Sequence, residues 1–150
     1  MSREGQFDVP PPYRYIALLS GLLAAAIAFA AGFAVFITLI ETLNGPQSVQ
    51  SYANKFAVLF LRLLPTGGIA AIIGLIPALF IGRHMVAHQK FGLRHFLLAG
   101  ITAGLPPIFL LGIIAPGLMF GMYLPVTIFA GIVGGWAARL YLLNTKQIPK

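Results

Sequence analysis

Apolar residues run along this chain in long, nearly continuous blocks that alternate with short polar segments. The blocks cover about residues 15–41, 56–82, 95–115 and 118–143. An α-helix rises about 1.5 Å per residue, so about 20 apolar residues cross a hydrocarbon core of about 30 Å. The pattern therefore predicts an all-α integral membrane protein, a single domain with four transmembrane helices.

Turn-forming residues join these blocks into two hairpins. Asn44-Gly45-Pro46 follows the first block, and only Pro116-Gly117 separates the third block from the fourth. A basic loop at residues 83–94 connects the hairpins. A signal peptide is the competing interpretation of the first block. However, the block is longer than an h-region of about 7–15 residues, so we predict an uncleaved span.

The second block admits two interpretations. In the first, one tilted helix runs from about Phe56 to Gly82 and is kinked near Pro65. In the second, residues 51–64 lie flat in the membrane interface and the span begins near Thr66. That span would hold only about 16 residues, close to the lower limit of about 17 for a crossing helix. We favour the single long helix.

The composition fits burial in lipid. Hydrophobic residues make up 59% of the 150 residues and charged residues 9%, whereas soluble domains average about 45–50% and about 25%. The net charge is +7, but the basic residues lie at the ends of apolar blocks. They are typical of topology signals and headgroup anchors, and not of a nucleic-acid surface. The absence of cysteine excludes disulfides and thiolate metal sites.

The positions of Lys and Arg predict the orientation, because short cytoplasmic loops are enriched in both. With the N-terminus inside, only Lys55 and Arg62 of the ten basic residues fall on the outer side. We therefore predict that both termini are cytoplasmic (N-in, C-in) in a bacterial inner membrane, with the basic loop against anionic headgroups. The inner residues are Arg3, Arg14, Arg83, Lys90, Arg94, Arg139, Lys146 and Lys150.

Few side chains in the predicted spans carry chemistry. No acidic, basic or His residue lies near the middle of a span, which argues against a proton relay or an ion-coupled carrier. His84 and His88 share a helical face and His95 begins the third span, so they are the candidate ligands for a haem or a metal. No carboxylate lies nearby to orient them, and we expect no cofactor by default.

Glu41 and Arg62 fall near the outer boundary, on adjacent helices of the first hairpin. We predict that these two side chains form an ion pair. The alternative is that Arg62 extends to the headgroups and that Glu41 only ends its helix.

Glycines and prolines give the richest remaining signal. Gly-x-x-x-Gly pairs let helices approach closely, either within one bundle or against another subunit. These pairs are Gly100/Gly104, Gly117/Gly121 and Gly131/Gly135. Prolines within the second, third and fourth spans remove backbone hydrogen bonds and predict kinks. They are Pro65, Pro77, Pro106, Pro107 and Pro125.

Three functions are compatible with this pattern. The first is a structural or accessory subunit that packs against a larger membrane complex or against itself. The second is a small carrier or oligomeric channel for a neutral or lipid-like solute, which requires a cavity near the mid-span prolines. The third is haem or metal binding through the three His. No catalytic motif is present, so no enzyme is predicted.

Overall fold

The computed structural model describes residues 9–43, 49–114 and 123–148. All regular structure within these ranges is helical, which confirms the predicted all-helical class. The helices are α1 Pro11–Leu43, α2 Val49–Ala87, α3 Leu93–Ile114 and α4 Leu124–Asn144.

Three of these helices, α1, α2 and α4, are long and apolar enough to cross a membrane. The apolar stretch of α3, Leu93–Phe109, is shorter than this length. These lengths and compositions are consistent with a membrane protein. The count of four spans stays a prediction, because residues 115–122, where the third and fourth predicted spans meet, lie outside the described residues.

Helix α2 runs without a break through 39 residues, including Pro65 and Pro77. The interfacial segment considered as an alternative is therefore part of the same helix. At about 1.5 Å per residue α2 is about 58 Å long, well beyond a hydrocarbon core of about 30 Å. It has to tilt or to project from the membrane.

The prolines lie where the sequence placed them, inside α2 and α3. Each one leaves the carbonyl four residues earlier without its usual helical donor. Pro125 is the second residue of α4, a position where proline needs no intrahelical partner. The kinks themselves stay a prediction.

The helices form a four-membered ring in chain order. Helix α1 packs on α2 and on α4, and α3 packs on the same two neighbours. The interface between α2 and α3 is the smallest of the four. Because each helix packs extensively on two neighbours, the centre of the ring is bounded by all four.

One end of the ring carries the residues just before α1, the α2–α3 loop and the residues just after α4. Val9, Met85, Phe91, Leu142 and Ile148 form one buried cluster there. We call this end the loop end, and the opposite end the turn end. The start of α1, the basic loop and the end of α4 thus lie together, as two antiparallel hairpins require.

A Schellman motif ends α2 at the loop end. The Lys90 N–H donates to the carbonyl of Met85 at 2.9 Å, and Gln89 has a φ of 55°. This left-handed residue reverses the chain. Phe91, only 6% exposed, is thereby directed into the cluster.

The same motif ends α4. The Gln147 N–H donates to the carbonyl of Leu142 at 2.9 Å, and Lys146 has a φ of 56°. Ile148, two residues further on as Phe91 is in the first motif, is 4% exposed. Two equivalent caps therefore place two apolar side chains in the same cluster.

Gln89→Gly and Lys146→Gly should each raise the free energy of unfolding by about 0.5–1 kcal/mol. A left-handed conformation costs a non-glycine residue about 1–2 kcal/mol, partly offset by the greater freedom of glycine in the unfolded chain. Unfolding in a mixed-detergent titration measures the change. Lys90→Gly is the matched control, because Lys90 has no positive φ, and it should lower stability. An equal loss in all three variants would contradict this account of the caps.

Candidate functional site

Glycines set the distance between α3 and α4. Gly100 lies against the backbone of Gly131, and Gly135 lies against the carbonyl of Phe96. A Cβ added at Gly131 would come within 2.7 Å of the Gly100 oxygen, closer than real Cβ contacts allow. The two backbones therefore touch only because these positions carry no side chain.

The same type of contact joins α1 to α4. A Cβ at Gly21 would lie 2.8 Å from the Gly134 oxygen, and one at Gly134 would lie 2.7 Å from the Gly21 oxygen. Of the predicted glycine pairs, Gly104 also faces α4, since its Cβ would lie 3.1 Å from Thr127 Cγ2. These glycine faces are thus used inside one chain. Gly117 and Gly121 lie outside the described residues.

Helix α2 is attached at fewer places. Its buried residues, among those with described side chains, are Gly67, Gly74 and Met85. A Cβ at Gly67 would lie 2.6 Å from the Ala26 oxygen of α1, and one at Gly74 would lie 2.8 Å from the Ala103 oxygen of α3. Only 11% of the most apolar window of α2 is buried, against 33% in α1 and 39% in α4. Away from these contacts most α2 side chains remain partly or fully exposed.

A cavity of about 700 Å³ occupies the centre of the ring and is lined by all four helices. We call it the central cavity. Small side chains form much of its wall. They are too short to fill the space between the helix backbones, and a cavity remains. Among them are Ala25, Ala70, Ala71, Ala99, Ala103 and Ala138.

The central cavity reaches the outer surface of the bundle along α2. Ile76 and Phe80 belong to its lining, yet they are 64% and 68% exposed. Pro107 of α3 also lines it, and so do Ile76 and Ala78 on either side of Pro77. The cavity therefore lies beside two of the mid-span prolines that the carrier hypothesis singled out.

The polar groups of the cavity lie at its two ends. Arg14 of α1 and Arg83 of α2 line it near the loop end. The Arg14 Nε donates to the carbonyl of Val9, and Arg83 is exposed. Thr127 lines the other end, about 22 Å along the α4 axis from Leu142 at about 1.5 Å per residue. The wall between these ends is almost entirely apolar.

Thr127 differs from other threonines of the described helices. Thr38, Thr42 and Thr102 each donate to the carbonyl four residues earlier, at 2.7 to 2.8 Å. Thr127 is 6% exposed, and its hydroxyl forms no hydrogen bond with the part of the chain that the structure describes. The Thr127 hydroxyl thus has an unused donor and acceptor at the cavity wall.

The predicted pair of Glu41 with Arg62 is wrong. The Glu41 carboxylate accepts a hydrogen bond from Lys55 Nζ at 3.0 Å, and Arg62 has no ion pair among the described residues. Arg62 lies two helical turns, about 10 Å, further along α2 than Lys55. Both side chains of the observed pair are about 40% exposed, so it contributes at most about 1 kcal/mol.

The three His do not form one metal site. The rings of His84 and His88 lie 4.0 Å apart, and His88 Nδ1 is 2.9 Å from the carbonyl of His84. Within the described ranges no three His, Asp or Glu side chains converge on one point. Rings this close leave no space for a haem between them. A haem held by one of them together with His95, whose Nδ1 is buried without a partner, stays a prediction.

Comparison with protein-family models, with curated proteins and with solved structures finds no match to this chain. The sequence predicts that Arg14 and Arg83 lie on one side of the membrane. It does not predict that both line one cavity together with Thr127, because the hydrophobic pattern shows which residues are apolar but not how far apart the helices stand.

Gly131→Ala should lower the free energy of unfolding by about 1–3 kcal/mol, because the added methyl forces the α3 and α4 backbones apart. Detergent-titration unfolding measures this loss. Gly68→Ala is the control in α2, because a Cβ there meets nothing within 4 Å. It should leave stability unchanged or raise it by up to about 1 kcal/mol through helix propensity. Equal losses in both variants would show that the α3–α4 contact is not specific.

Proposed function

We propose that this chain is a small helical membrane protein that takes up a lipid-like, largely apolar solute in its central cavity and acts as its carrier. The observation behind this proposal is the cavity itself. Its volume of about 700 Å³ falls within the range of about 300–1,000 Å³ that is usual for small-molecule sites. No catalytic activity, cofactor or metal is part of the proposal.

The character of the wall supports a lipid-like solute. Apolar side chains and glycine backbone form nearly all of the described wall, and within it Thr127 is the one polar side chain far from the loop end. Binding sites usually combine an apolar lining with a few placed polar groups that fix orientation. An ion or a sugar would lose its hydration here without enough polar partners, whereas a hydrocarbon chain would lose nothing.

The low burial of α2 and its small interface with α3 support entry from the side. Ile76 and Phe80 connect the cavity lining with the surface of the bundle, and α2 packs least on α3. In a bilayer this surface faces acyl chains. A solute dissolved in the membrane would thus reach the cavity without crossing water.

The alternative function is that of an accessory subunit, but one argument for this hypothesis no longer holds. The described glycine pairs that suggested docking to another protein are occupied by helix contacts within the chain. The exposed residues Ile69, Ile72 and Ile76 on α2 form an apolar surface that lipid covers as well as a protein would. Stoichiometric co-purification with a larger complex would favour this alternative over the carrier.

Ala71→Phe should weaken binding of a spin-labelled long-chain alcohol at least about tenfold, because the added ring fills the cavity that Ala71 lines. Ile72→Phe is the matched control on the next residue, which is 70% exposed and outside the cavity lining. It should bind the probe normally. Electron paramagnetic resonance of the purified protein measures the immobilised fraction. Equal binding by both variants would refute the central cavity as the site.

We also propose four spans in a bacterial inner membrane, with the loop end cytoplasmic. Six described basic residues lie toward that end, as the bias of cytoplasmic loops requires. The chain contains no cysteine, so His88→Cys and Asn54→Cys each provide a single label. A membrane-impermeant maleimide should label position 54 in intact cells and position 88 only after lysis. Labelling of position 88 from outside would reverse the orientation.

A further inference from the structure

The described charged side chains that line the central cavity are all basic and lie at its loop end. Arg14 and Arg83 line it there, and no carboxylate lines it among the described residues. The described acid, Glu41, belongs to the turn end, where it pairs with Lys55. The other two acids of the chain, Glu4 and Asp8, lie outside the described residues.

The surroundings of this end add positive charge. Further basic side chains lie on the α2–α3 loop, at the start of α3, on α4 and after it. They are Lys90, Arg94, Arg139 and Lys146. Arg139 Nε lies 3.5 Å from the carbonyl of Phe91, and Arg83 has no ion pair with the described residues. The potential at the mouth of the cavity therefore favours an anion.

Arginine is suited to a carboxylate or phosphate group. Its planar guanidinium offers two parallel N–H donors to the two oxygens of such a group. Arg83 lines the cavity and is exposed, so its guanidinium is accessible at the mouth. A neutral headgroup would not use this charge.

The depth of the cavity fits a long chain attached to that headgroup. Between Leu142 and Thr127 the lining extends about 22 Å along α4, at about 1.5 Å per residue. One half of the hydrocarbon core measures about 15 Å. An acyl chain anchored at the loop end would therefore pass the small side chains of the wall and approach the unpaired hydroxyl of Thr127.

We propose that the solute is an anionic amphiphile with a carboxylate or phosphate headgroup, held by Arg83, and with its acyl chain in the central cavity. This inference rests on the proposed function and narrows it from any lipid-like solute to an acidic one. It also gives Arg83 a role beyond anchoring the protein at the headgroups.

Oleic acid and oleyl alcohol separate the two levels of the proposal, because they differ in charge and share the same chain. Their binding to the purified full-length protein would be measured by displacement of a spin-labelled long-chain alcohol. Oleate should bind at least about tenfold more tightly than the alcohol at low ionic strength, and added salt should reduce the difference. Equal affinities would overturn the anionic headgroup and leave the carrier standing. Binding of neither compound would overturn both.

Arg83→Gln should remove most of the preference for oleate and leave the affinity for oleyl alcohol unchanged. Arg94→Gln is the matched control, since Arg94 is also an exposed arginine near the loop end but does not line the cavity, and it should keep the preference. Arg83→Lys retains the charge without the planar donor pair and should give an intermediate preference. A full preference in Arg83→Gln would overturn the assignment of the headgroup site.

Phosphatidylglycerol and phosphatidylcholine then identify the source of the anion. Displacement of bound oleate by phosphatidylglycerol alone supports a phospholipid phosphate. Displacement by neither lipid supports a free carboxylate, and both results are consistent with an anionic amphiphile. Equal displacement by the two lipids would contradict the proposal.

Discussion

Direct contact between helix backbones is the constraint on which the rest of this structure depends. In lipid, helices gain little from hiding apolar surface, so close packing has to hold them together. Helix α4 achieves this on two sides, through Gly131 and Gly135 toward α3 and through Gly134 toward α1. Three of the four helices are thereby fixed relative to one another by positions that tolerate no Cβ.

The same small residues account for the central cavity. The glycines of the backbone contacts also line the cavity, together with alanines whose side chains are too short to fill it. Helix α2 brings its backbone close to its neighbours at Gly67 and Gly74, and few of its other residues are buried. Atoms that line such a space lose dispersion contacts on one side. Rigid helix contacts and an empty centre thus have one origin in the composition of the chain.

The hydrophobic pattern predicted the helical class. Which side chains meet between two helices also depends on the residue at which each helix begins, and the pattern does not fix that residue. The second block was expected to begin near Phe56, which puts Arg62 in the second turn and opposite Glu41. Helix α2 begins at Val49, so Lys55 takes that place. A shift of seven residues in one helix start therefore exchanged the partner of an ion pair.

Similarly, the Gly-x-x-x-Gly spacing indicates a face that permits close approach but does not specify which surface lies against it. For Gly100 and Gly131 that surface belongs to another helix of the same chain. Only the three-dimensional arrangement reveals this.

The cavity has a thermodynamic consequence for the protein as a whole. Any molecule that occupies it in the folded state and not in the unfolded state raises the free energy of unfolding by mass action, by about 2.7 kcal/mol at one hundred times its dissociation constant. The melting temperature of this protein is then a property of the chain together with its solvent. Purification that strips bound lipid should lower the melting temperature, and returning the native lipid extract fraction by fraction should raise it. The heat stability of the empty protein would thus serve as an assay for its natural occupant.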